Sequence, residues 1–152
     1  MFGGLFDKKE TENEIKILTG PIENFQTETI ASNSDTILLS SYDELDGFKF
    51  LKLRIIGPLN VRTQNGGEVK FIGESGSIIC EIDNNEISTY YEKKVKIGIT
   101  EVDIDLEEDL IQMIENEVIS KVEILIKKHH VSLDMVKQDL LKTSLTVVDE
   151  EE

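Results

Sequence analysis

The sequence predicts an α+β fold that is mainly β: an antiparallel meander, sandwich-like or curled into a small partly closed barrel, with two C-terminal helices packed on it. Three observations carry that expectation. The stretch "FKFLKLRII" (48–56) alternates Leu51, Leu53 and Ile55 with Lys52 and Arg54, the period of a strand with one buried face. Short β-rich runs then follow one another, broken by "NGG", "GESG", "DNNE" and "EKK", links too short for parallel crossovers. Helical spacing enters only in the last third, where Leu106, Leu110, Ile114 and Val118 recur at every fourth position.

A chain of 152 residues is long enough for one self-sufficient core, burying roughly 68–70% of the unfolded surface. Residues 1–14 combine two glycines with mixed charge and form an arm, 15–145 form one β-rich domain, and 146–152 form an acidic tail. The first strand is expected at "EIKIL" (14–18) and the second at "TILLS" (36–40), before the strong signal at 48–56 ends on Gly57-Pro58. "LNVRTQ", "EVKFI", "SIICEI", "ISTYY" and "VKIGITEVDID" supply the further strands. Asn65-Gly66 and Asn84-Asn85 tolerate the positive φ of two-residue hairpin turns.

The stretch "ITEVDIDLEEDLIQMI" (99–114) places six carboxylates within nine positions. Val102, Ile104 and Leu106 point one way and Glu101, Asp103 and Asp105 the other, as in a sheet with one wet face. Asp105 then caps a helix, Glu108 three residues on completes a capping box, and the acids of the first turn meet the positive end of the macrodipole. Beyond it, "ISKVEILIKK" could extend the same helix, but its β-branched residues and the alternation of Val122, Ile124 and Ile126 favour a strand, and "SLDMVKQDLLKTSL" reads as a second helix capped by Ser132.

The formal net charge is -15. It opposes binding to nucleic acid or to anionic lipid, because both are repelled before contact. The charge divides as -7 over 1–47 (3 basic, 10 acidic), +2 over 48–98 (8 and 6) and -10 over 99–152 (5 and 15). Such asymmetry orients a basic partner, or one copy of the chain against another. No apolar run is long enough for a membrane span, no secretory signal is visible, and the expected location is the cytoplasm.

For chemistry, Asp103, Asp105 and Glu107 are the candidates to hold a hard divalent cation, although no EF-hand spacing accompanies them. His129 and His130 are adjacent and expected to be solvated. Cys80, flanked two positions away by Ile78 and Ile82, is expected to be buried and inert. "GESGS" lacks the Gly-x-Ser-x-Gly spacing of a nucleophile elbow. Lys49, Lys52, Arg54, Arg62 and Lys70 could line up as a basic stripe on neighbouring strands, and Phe2, Leu5 and Phe6 could form a docking peptide.

The reading that follows is a non-catalytic cytoplasmic interaction domain, of adaptor, inhibitor or assembly type, acting through an acidic surface. Its partner is a protein, basic or a second copy, with Lys52, Arg54, Arg62, Lys70, Phe2, Leu5 and Phe6 as candidate contacts and no cofactor. A small-ligand-binding β-domain is the alternative, and a divalent-metal-dependent hydrolase using Asp103, Asp105 and Glu107 the third reading.

Overall fold

A computed structural model describes residues 28–142. The expected strand at 14–18, the Phe2, Leu5 and Phe6 arm and the tail at 146–152 lie outside the described residues.

Ten strands follow one another: β1 Ala31–Ser32, β2 Ile37–Leu45, β3 Phe48–Gly57, β4 Arg62–Thr63, β5 Gly67–Gly73, β6 Ser77–Glu81, β7 Ile87–Glu92, β8 Ile97–Asp105, β9 Ile119–Ile126 and β10 His129–Met135. Helix α1 (Glu108–Asn116) separates β8 from β9, and helix α2 begins at 138 and continues through 142. Every pairing is antiparallel, in the order β4-β7-β8-β3-β2-β1-β10-β9-β5-β6. The sheet curls until Ile82, just past its last strand, bridges Ile104 in β8, and the Asp83 N–H donates to the Asp103 carbonyl at 2.8 Å. The result is a curled, partly closed barrel.

Alternation sets which side chains turn inward. Leu51, Leu53 and Ile55 of β3 meet Val102 and Ile104 of β8, Val69 and Phe71 of β5, and Val122, Ile124 and Ile126 of β9 in one core. Leu110, Met113 and Ile114 of α1 and Leu141 of α2 join that core, so both helices pack on the sheet. Burial of a polar group inside it requires partners, and Thr89 Oγ1 and Thr100 Oγ1 supply one another at 2.8 Å.

Several local expectations need correction. The tight hairpin turns are at Asp46-Gly47 between β2 and β3 (φ 53° and 85°) and at Lys127 between β9 and β10 (φ 55°). Asn65-Gly66 and Asn84-Asn85 are not hairpins, because β4 pairs with β7 rather than β5, while β6 and β7 lie near opposite ends of the sheet order. Asn84 instead ties the 82–84 link to β8: its side-chain oxygen accepts from the Asp103 N–H at 2.7 Å.

The capping box is also absent. Asp105 is the last residue of β8, the N-cap is Glu107, and its side chain makes no cap hydrogen bond. Strand pairing with Phe50 carries β8 through Asp105 and delays the helix by two residues. Glu107→Ser is therefore expected to stabilise α1 by about 0.5–1 kcal/mol by supplying the missing cap, whereas Asp105→Ala should cost little. Urea unfolding of both variants checks this. Val118 lies past the helix and is exposed, while Met113 takes a core place the fourfold spacing did not assign.

The second helix starts at 138 rather than at Ser132. Ser132 lies in β10 opposite Glu123 of β9, since Val131, Leu133 and Met135 alternate as a strand and β10 fills the gap between β1 and β9. Residues 119–126 form a strand, as their alternation predicts.

Candidate functional site

Beyond the Ile82–Ile104 bridge, β6 and β8 diverge, because β8 ends at Asp105 and the chain turns into α1. A cleft of about 280 Å³ opens between them. Its floor is the inward-facing row Ile78, Cys80 and Ile82, and its rim is Glu81, Asp83, Asp105, Glu107 and Asp109. Among the described residues, none of these five carboxylates has an ion-pair partner, while Glu28, Glu86, Glu101, Asp103, Glu123 and Asp134 each lie within 4.0 Å of a basic group.

Cys80 reports on the field inside the cleft. Its thiol is half-buried rather than buried, and its pKa is pushed up to about 11, first by burial and then by the carboxylates of Asp109 and Glu107. The shift disfavours the thiolate, the nucleophilic form. An acidic group whose folded pKa exceeds its unfolded value of 9.0 keeps its proton in the fold while the unfolded chain loses it. Its contribution to stability is therefore lost as pH rises from 9 toward 11. Alkylation of the native protein should accelerate through the same window, and Asp109→Asn or Glu107→Gln should move that rise to lower pH.

A second, shallower trough of about 360 Å³ lies on the outer face of β3, β8 and β7 and includes Lys52, Arg54, Glu101, Asp103 and Tyr90. Here the charges meet across the β3–β8 register: Lys52 Nζ is 3.7 Å from Asp103, and Arg54 donates from Nε and Nη2 to Glu101. The basic stripe does not exist as one surface. β3 is separated from β4 by two strands and from β5 by four, so Arg62, which meets Glu86 at 3.7 Å, and Lys70, opposite Glu123, lie elsewhere.

The three candidate cation ligands are also divided, with Asp103 on the trough and Asp105 and Glu107 on the cleft. Among the described residues, no group of three or more His, Cys, Asp or Glu side chains is placed to hold a metal ion. His129 and His130 open β10 as an exposed pair, with His130 Nε2 3.8 Å from Glu123. No described helix is long and apolar enough to cross a membrane. Glu81, Asp83 and Asp109 were missed as site residues, since Glu81 and Asp83 reach the acids of 105–109 only through the closing of the sheet. No local pattern announces that contact.

No protein-family profile, curated protein or solved structure matches this chain.

Proposed function

We propose that the chain is a non-catalytic interaction domain that receives a basic segment of a partner protein in the cleft between β6 and α1. The observation that carries this reading is the set of five carboxylates without cationic partners around an apolar floor. A lysine or arginine suits such a place: its methylene stem covers Ile78 and Ile82 while its charged end meets the rim. The trough of β3 and β8 is a weaker competitor because its acids already face Lys52 and Arg54.

An oligolysine peptide is the probe. Its affinity should fall steeply between low salt and 1 M, where the screening length drops to about 3 Å. The triple variant Asp105→Asn, Glu107→Gln, Asp109→Asn should lose about tenfold, near 1.4 kcal/mol. Neutralising Glu150, Glu151 and Glu152 removes the same charge and should cost much less. Equal losses from the two sets would mean that net charge alone governs binding, and the cleft would have no special part.

A further inference from the structure

The sheet order ends on β6, and among the described residues β6 pairs with β5 alone. In an antiparallel ladder, every second residue of an end strand turns its N–H and C=O away from its one neighbour. The Ile82 N–H donates to the Gly67 carbonyl at 2.9 Å, which sets the phase: Cys80 opposite Val69 and Ile78 opposite Phe71 bond to β5, while the main-chain groups of Ile79 and Glu81 face away from it. Both residues border the acidic cleft. Ile79 also leaves its side chain 58% exposed on the outer face. An open edge with an exposed apolar side chain is a template for strand pairing. At the other end of the order, β4 is two residues long and carries Arg62, so it offers a basic segment neither length nor opposite charge.

Taking the cleft as the receiving site, we propose that the basic segment enters it as an added strand, paired antiparallel with the edge of β6 through the main-chain groups of Ile79 and Glu81, and that it alternates basic with β-branched residues. The five residues of β6 give such a strand roughly 17 Å of edge. Alternate side chains of an added strand go to opposite faces. Those beside Cys80 lie over the apolar floor, on the side where the carboxylates of Asp109 and Glu107 act on the Cys80 thiol, so this set is basic. Those beside Ile79 lie on the outer face, where valine or isoleucine covers it as a cross-strand neighbour. Main-chain bonds then supply affinity, and the two rows of side chains supply selection.

The probe is an end-capped heptapeptide of alternating lysine and valine, offered at low salt to the unaltered full chain. At saturation, amide hydrogen exchange at Ile79 and Glu81 should slow by about tenfold or more, while Cys80, already bonded to β5, changes little. N-methylation of the valine amides, which point at β6 in this pairing, should weaken binding by about tenfold or more. N-methylation of as many lysine amides, which point away, alters size equally and leaves charge the same, yet should have little effect. Equal effects of the two sets, a loss confined to the lysine set, or unprotected Ile79 and Glu81 in the saturated complex would each overturn the antiparallel added strand. If affinity in those cases still falls in the Asp105→Asn, Glu107→Gln, Asp109→Asn variant, the cleft remains the receiving site and only the docking mode is refuted. No binding, or binding that this variant leaves intact, refutes the cleft and the added strand together.

Discussion

Phe71→Ala is expected to lower stability by about 3–5 kcal/mol, the range for emptying a phenylalanine site in a closed core. Phe71 is fully buried in β5, opposite Ile78 of β6 and Val122 of β9, so its ring lies where the two neighbouring strands must stay in register. Strands on both sides limit how far the cavity can collapse, which puts the cost toward the upper end. A loss of that size is a large part of the roughly 5–15 kcal/mol that holds an ordinary domain folded. Phe48→Ala is the control, because Phe48 is 69% exposed and should change stability by no more than about 0.5 kcal/mol. Urea unfolding of the two variants measures the contrast, and a similar shift in both would show that β5 is not part of a packed interior.

Gly98→Ala is expected to cost about 1–3 kcal/mol through overpacking, although it adds one methyl group. A Cβ at this position would stand 2.5 Å from Thr89 Cγ2 and 2.6 Å from the Leu59 carbonyl oxygen. One of those neighbours is backbone and cannot rotate away. Gly98 faces Gly57 across the β3–β8 register, and a Cβ on Gly57 would in turn meet Thr36 Oγ1 at 2.5 Å. The pair lets the Leu59 and Thr36 segments cross close over the sheet. Thermal and urea unfolding should both report the loss, whereas an unchanged midpoint would mean that the 59–61 segment yields freely.

Strands whose alternation is strong were legible from the residues alone. Lys52 and Arg54 outward with Leu51, Leu53 and Ile55 inward is the same arrangement in the sequence and in β3, and β9 follows from Val122, Ile124 and Ile126. Two kinds of feature were not legible. The first is competition between periods. Leu133, Val136 and Leu140 suit a helix, and Val131, Leu133 and Met135 suit a strand, and only the open position between β1 and β9 decides for the strand. The second is long-range pairing. β3 joins β8, β5 joins β9 and β1 joins β10 across long stretches of chain, so β3 and β4, β4 and β5, β6 and β7, and β8 and β9 follow one another in sequence without being neighbours in the sheet. That is why the basic residues of β3, β4 and β5 form no stripe.

The cleft shows the same division. In the sequence Asp105 and Glu107 stand out as candidate cation ligands, Asp105 also as a helix cap, and Glu107 and Asp109 as acids of the first helical turn. Their neighbours Glu81, Asp83 and Cys80 become visible only once Ile82 meets Ile104. The acids then line one cleft, and the proposal of a basic partner segment rests on that setting.

Nuclear magnetic resonance mapping of the oligolysine peptide onto the isotope-labelled full chain tests that setting most directly. At low salt the backbone amide shifts should concentrate at Ile79–Asp83 and Asp105–Leu110, and fade together as salt is raised. Shifts spread evenly over all acidic positions, or gathered at the Lys52–Asp103 trough while the cleft stays silent, would contradict the cleft as the site where this domain meets its partner.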